Sequence, residues 1–325
     1  MAKKGVMILA GGGGHTGYAR ILAEALSGRA ELSFLVPDAD PLSLVRLEPF
    51  GPVGTLTKPR HPTTPTWRFI LRMAKALYQS SGRVPRGLDA VVSTGSNFCV
   101  PPALVAWAKG IPLVNLESRV KFIKPSRTAS LLQRFAEVTA LQWEEQRRIL
   151  RGTVFGPLLP RRTVDPWNGG YILVAGGTYG HRALFDAVSA SGLENVVLQT
   201  GNLDGREYSE RHPEWKVISF TERFNELLAG ADVVVSPPGG TPVEALVYGK
   251  HVVVVSYPEW ARAADREETR MFAGKLNAPI LTAMTPSALE AAVEEARRRE
   301  VPVLRDGTGP LVEAILALSA PDKIN

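Results

Sequence analysis

One histidine follows four consecutive glycines in the run Gly11-Gly12-Gly13-Gly14-His15-Thr16-Gly17. Glycines permit a tight turn and close approach of a ligand to the backbone, and the amides that open a helix attract anions. Gly13, Gly14 and Thr16 are therefore candidate contacts to a phosphate or diphosphate. A neutral imidazole beside such an anion can take a proton from an attacking hydroxyl, so His15 is a candidate general base. A loop histidine that only hydrogen-bonds the phosphate or caps the helix is the plainer alternative. Gly12-x-Gly14-x-x-Gly17 also satisfies the dinucleotide fingerprint, with Asp38 beyond the second strand, so an NAD site stays open at this stage.

A second constellation lies in Ser236-Pro237-Pro238-Gly239-Gly240-Thr241-Pro242-Val243-Glu244. Gly239, Gly240 and Thr241 can set amides and a hydroxyl against a diphosphate where a helix begins, and Pro242 suits a first helical turn. Glu244, one turn on, could accept hydrogen bonds from two ribose hydroxyls. An ordinary first-turn glutamate favoured by the helix dipole is its alternative. Gly176, Gly177 and Thr178 form another glycine turn ahead of a helix, without dinucleotide spacing. Asp38-Ala39-Asp40 imitates a metal-binding motif, but a solvated turn accounts for it, and no metal is expected.

These loops need elements to hold them. Apolar runs at Val6–Ala10, Leu32–Val36, Ala90–Ser93, Ile111–Leu116 and Val138–Leu141 predict buried strands, with helical spacing between them. The pattern restarts after a Pro- and Gly-rich stretch from Gly156 to Gly170, with strands at Tyr171–Ala175, Val196–Thr200, Trp215–Ser219, Val233–Ser236 and Val252–Ser256. The expectation is an α/β protein of two Rossmann-like domains, residues 1–163 and 164–325, with an interdomain cleft. The last helix, Leu311–Leu318, could pack on either domain.

A length of 325 residues suits two such domains. One cysteine, Cys99, rules out an intramolecular disulfide framework. No signal peptide and no spanning segment is read, so a cytoplasmic protein is expected. Net charge is +6 but unevenly spread: residues 1–162 carry 23 Lys and Arg against 10 Asp and Glu, whereas residues 163–325 carry 15 against 22. A basic half faces an anionic partner, with nucleic acid and anionic lipid both candidates, unless it is merely solvated. Trp67 to Tyr78 sets Trp67, Ile70, Leu71, Ala74, Leu77 and Tyr78 on one side of a basic helix. That pattern suits either a core face or an interfacial helix.

The second half resembles the donor-binding subunit of the two-subunit eukaryotic enzyme that adds the second N-acetylglucosamine to dolichyl-diphosphate-GlcNAc. The residues that carry this are Gly176–Gly177, Phe220 and Gly239–Glu244 with Gly249-Lys250. The first half is similar to that enzyme's membrane-recruiting partner through Gly11–Thr16, Ser93-Thr94-Gly95-Ser96-Asn97, Glu117-Ser118-Arg119-Val120 and Gln142-Trp143-Glu144. Both halves also resemble the bacterial GlcNAc transferase that makes the last lipid-linked peptidoglycan precursor. The resemblance implies a prokaryotic fused form with a GT-B fold and inversion at the anomeric carbon. It implies UDP-GlcNAc as donor and a polyprenyl diphosphate-linked sugar as acceptor; neither a metal nor a nucleic-acid partner is expected. The Trp67–Tyr78 helix and the basic charge of the first half make peripheral contact with the inner face of the membrane the expectation. His15 falls on the family's loop histidine, Glu117 and Arg119 on an acceptor-half motif, and Gly239–Thr241 with Glu244 on the diphosphate and ribose positions. Related enzymes often carry His/Asp-Gln-x-x-Asn against the donor sugar. Here Asp265-Arg266-Glu267-Glu268-Thr269 stands in its place, and Arg266 could serve a uronic acid.

Overall fold

The apolar runs become parallel strands, as continuous burial on both faces requires. In the computed structural model, residues 3–61, 64–256 and 264–319 are described. The first unit comprises Met1–Leu158 with Arg305–Asn325, and the second Leu159–Leu304.

The first unit runs β1 (Lys4–Leu9), α1 (Gly14–Leu26), β2 (Ala30–Pro37), α2 (Pro41–Leu47), β3 (Val53–Leu56), α3 (Thr66–Arg83), β4 (Ala90–Ser93), α4 (Val100–Ala108), β5 (Leu113–Leu116), α5 (Arg127–Leu132), β6 (Val138–Leu141) and β7 (Thr153–Val154). Its sheet order is β3-β2-β1-β4-β5-β6-β7, every pair parallel. Alternation along β1 feeds two cores: Val6 and Ile8 join α1 residues such as Leu22 and Leu26, whereas Met7 and Leu9 join Phe98 and Ala103.

The second unit runs β8 (Tyr171–Ala175), α6 (Arg182–Ser189), β9 (Val196–Gln199), α7 (Arg206–Arg211), β10 (Lys216–Ile218), α8 (Phe224–Gly230), β11 (Ala231–Ser236), α9 (Gly240–Val247), β12 (His251–Val255), α10 (Arg266–Lys275), β13 (Ile280–Leu281) and α11 (Pro286–Arg298). Its order, β10-β9-β8-β11-β12-β13, repeats the doubly wound plan. α12 (Thr308–Ala317) then returns to the first unit, burying Leu311, Val312 and Ile315 in the core beside α1. Its entry is a backbone crossing: Gly307 N–H donates to the Pro157 carbonyl at 2.9 Å, and a Cβ on Gly307 would stand 2.3 Å from the Gly156 oxygen.

Candidate active site

In an open parallel sheet, ligands gather beyond the strand C-termini where the winding reverses. In the first unit that point lies between β1 and β4, which pair along Val6–Leu9 and Ala90–Ser93. The turn after β1 holds Gly12 and Gly13 at φ 88° and 57°, backbone that L side chains resist. Gly13 and Gly14 are exposed, and Gly14 opens α1. The turn after β4 folds onto this loop, since a Cβ on Gly11 would meet the Ser96 Cβ at 2.4 Å.

His15 is half-buried between these turns, and its Nδ1 donates to the Thr94 carbonyl at 2.6 Å. A carbonyl only accepts, so the bond places the proton on Nδ1 and leaves Nε2 with its lone pair. Burial lowers the imidazole pKa below its ordinary value, the Thr94 bond works against this, and the charge of Lys58 lowers it further. The neutral form that a base needs is favoured. Gly95, at φ 99°, lies close to the ring: a Cβ there would sit 2.9 Å from Cε1 of His15.

Lys58, which sequence reasoning passed over, follows β3 and donates to the Gly11 carbonyl at 3.2 Å. Asp40 caps α2 by accepting from the Ser43 amide at 3.1 Å and the Ser43 hydroxyl at 2.6 Å. The Asp38–Asp40 turn is thereby explained as a helix entry.

Three expected acceptor contacts turn inward. Thr16 is buried, and its hydroxyl is bonded to Ser43, so it packs α1 against α2 instead of facing a ligand. Glu117 is fully buried and accepts from the Ser118 and Ser126 amides at 2.6 and 2.8 Å; burial raises its pKa. Arg119 is buried as well. Its backbone amide and Nε both donate to the Tyr18 hydroxyl, at 3.0 and 3.1 Å, with the guanidinium 4.6 Å from the Tyr18 ring centre. Trp143 Nε1 donates to the Arg119 carbonyl at 2.7 Å and Gln142 to the Glu117 carbonyl at 2.8 Å. This motif is a buried brace for α1 through Tyr18, whose ring lies 6.4 Å from that of His15.

In the second unit the winding reverses between β8 and β11. After β8, Gly176 is buried so closely that a Cβ would strike Phe185 at 2.4 Å, and Gly177 adopts φ 68°. Thr178 is half-buried with its carbonyl accepting from the Asn202 amide at 2.9 Å, and Phe220, just past β10, is 38% exposed. After β11, Gly239 occupies the N-cap of α9 and Gly240 its first position; both, with Thr241, are partly exposed. Glu244 curls back toward that end, Oε1 lying 2.9 Å from where a Gly240 Cβ would stand. The turn and the helix start thus occupy one end of one sheet.

Arg266 opens α10, after the adjacent strand β12, and is exposed. Asp265 caps that helix, accepting from the Glu267 and Glu268 amides at 3.0 and 2.8 Å. Thr269 is buried, its hydroxyl donating to the Asp265 carbonyl at 2.7 Å. Of this signature, Arg266 and Glu267 present exposed side chains, with Asp265 committed to the cap.

The face of α3 predicted as core or interfacial is open: Trp67, Ile70 and Leu71 are about 60% exposed and Tyr78 81%. No helix of the described residues is long and apolar enough to cross a membrane.

Residues 171–300 match the family described as Glycosyltransferase family 28 C-terminal domain. The chain is 30% identical over 332 aligned positions to the UDP-N-acetylglucosamine–N-acetylmuramyl-(pentapeptide) pyrophosphoryl-undecaprenol N-acetylglucosamine transferase of Synechococcus elongatus, spanning 93% of this chain and 88% of that relative. Among solved structures, MurG of Acinetobacter baumannii superposes with a TM-score of 0.63 at 20% identity, covering 97% of this chain and 99% of its own. A putative UDP-N-acetylglucosamine 2-epimerase from Listeria monocytogenes gives 0.67 at 15% identity, covering 98% and 96%. The fold by itself therefore does not choose between transfer and epimerisation.

Proposed function

We propose that this chain, which belongs to glycosyltransferase family 28, moves N-acetylglucosamine from UDP-GlcNAc to a polyprenyl diphosphate-linked sugar with inversion. The first-unit geometry supports the base. His15 Nε2 removes the acceptor hydroxyl proton as that oxygen attacks the anomeric carbon from the face opposite the diphosphate. The new C–O bond forms as the bond to UDP breaks, and UDP leaves. Gly13 and Gly14 receive the acceptor's diphosphate. Amides of Gly239–Thr241 and the Thr241 hydroxyl meet the charge that develops on the donor diphosphate, fixed in place before reaction, so the scheme assigns no metal. Glu244 accepts from the ribose hydroxyls. Gly176–Thr178 and Phe220, at the same sheet end, complete the donor side, and the donor sugar is assigned to Arg266.

The single observation that carries this reading is the Nδ1 bond of His15 to Thr94, which leaves Nε2 as the proton acceptor. The acceptor common to both family resemblances is a sugar on a polyprenyl diphosphate; the dolichyl N-glycan precursor is one such molecule and the undecaprenyl precursor another. The exposed apolar stripe of α3, flanked by Arg68 and Lys75, is the surface we assign to peripheral contact with anionic lipid on the cytoplasmic face.

The test is radiolabel transfer from a panel of UDP-sugars, UDP-glucuronic acid included, to synthetic prenyl-diphosphate sugars. A β-linked product from UDP-GlcNAc is expected. UDP release without acceptor would favour epimerisation instead, and product from the uronic acid alone would reassign the donor.

A further inference from the structure

The main chain around Lys58 is anchored on both sides. The Lys58 carbonyl accepts from Arg72 Nε of α3 at 2.9 Å, and the neighbouring Arg60 backbone exchanges bonds of 3.1 and 3.2 Å with the Asn97 side chain. The ammonium is thereby directed at the first glycine turn, bonded to the Gly11 carbonyl and 3.7 Å from the position of a Gly12 Cβ. The proposed reaction puts the acceptor's diphosphate on Gly13 and Gly14, the two residues that follow Gly12, and His15 is the next residue.

We propose that Lys58 receives that diphosphate and couples acceptor binding to the proton-accepting power of His15. This rests on the reading of the first loop as the acceptor site. Without acceptor, the ammonium charge helps to keep His15 neutral, with Nε2 unprotonated. A bound diphosphate offsets that charge and adds negative charge beside the imidazole, so the base strengthens when the hydroxyl arrives. The other groups facing Lys58 are Asp40 from the start of α2, His61 and Arg72, and the Cys99 thiol, which burial pushes up to about 12 and so keeps un-ionised. Burial lowers the Lys58 pKa and Asp40 raises it.

Inorganic pyrophosphate is the probe, and the His15 titration by NMR of the whole protein is the readout. The chain has five histidines, so the spectrum of His15→Gln assigns the resonance. Saturating pyrophosphate is expected to raise the His15 pKa by about half a unit or more. Lys58→Met should raise it in the free protein, weaken pyrophosphate binding roughly tenfold, and remove most of the pyrophosphate-induced rise; Lys58→Arg should preserve both effects. Lys58→Gln serves if the Met variant does not fold, and Arg86→Met, an exposed charge lost elsewhere, should change neither value. With acceptor, Lys58→Met should raise the acceptor KM and leave the UDP-GlcNAc KM unchanged. Equal pyrophosphate affinity and an equal His15 titration in wild type and Lys58→Met would overturn the proposal. Because the NMR arm measures no transfer, a wrong donor or acceptor sugar would show in the UDP-sugar panel and leave this result intact.

Discussion

The Nδ1 of His15 donates to the main-chain oxygen of Thr94 at 2.6 Å, joining residues 79 positions apart. They meet because β1 and β4 are paired neighbours, so the sheet order delivers the carbonyl that selects the histidine tautomer. A base acts deprotonated, and its activity falls as pH drops through its pKa. Burial and Lys58 hold that pKa below the ordinary value near 6.5. The acid limb of kcat/KM is therefore expected below about pH 6.5, with a single proton lost. His15→Ala should remove that limb and lower turnover by roughly 10²-fold or more with UDP affinity intact. Unchanged turnover would take the imidazole out of the reaction.

Gly95→Ala should separate geometry from stability. The added methyl meets the His15 ring at 2.9 Å on backbone at φ 99°. Turnover is expected to fall roughly tenfold to a hundredfold through displacement of the imidazole, with donor binding unchanged. Full activity in Gly95→Ala would show that the ring position does not matter.

Glu244→Ala should weaken UDP binding about tenfold, roughly 1.4 kcal/mol, with little change in acceptor KM. Calorimetry with UDP and with 2′-deoxy-UDP checks it. The variant should lose the preference for the ribose hydroxyl, and an unaltered preference would remove Glu244 from the ribose contact.

Replacing Trp67, Ile70 and Leu71 together by serine should lower binding to vesicles containing phosphatidylglycerol roughly tenfold or more. These side chains are exposed, so thermal stability should hold to within about 0.5 kcal/mol per site. Equal vesicle retention would assign the stripe to something other than lipid.

Glu117→Ala should destabilise the first unit by about 2–4 kcal/mol, since it leaves the Ser118 and Ser126 amides without their acceptor. Thermal unfolding measures this. A stable variant with a raised acceptor KM would instead restore Glu117 as an acceptor contact.

Strands such as β4 and β8 were legible to the residue, because a continuous apolar run ends abruptly at polar or glycine positions. β3 was not: Val53-Gly54-Thr55-Leu56 is glycine-broken and half-buried, with no run to find. Lys58 follows that hidden strand and went unnoticed with it. His15 was legible because a glycine run leaves little else for a loop to do. The inward turn of Thr16, Glu117 and Arg119 was not, since it depends on distant partners; Arg119 is buried by Tyr18, 101 positions earlier. Residue type names a chemistry, and only the tertiary neighbours decide whether it faces a ligand or a brace.

The return of α12 sets an order of assembly. Residues 305–318 leave the ribosome after the entire second unit, yet they supply Leu311, Val312 and Ile315 to the first. An early-made sheet must wait with one apolar flank bare, a hazard for a nascent chain. Genetic excision of the leading half would need this distant helix grafted back to stay soluble.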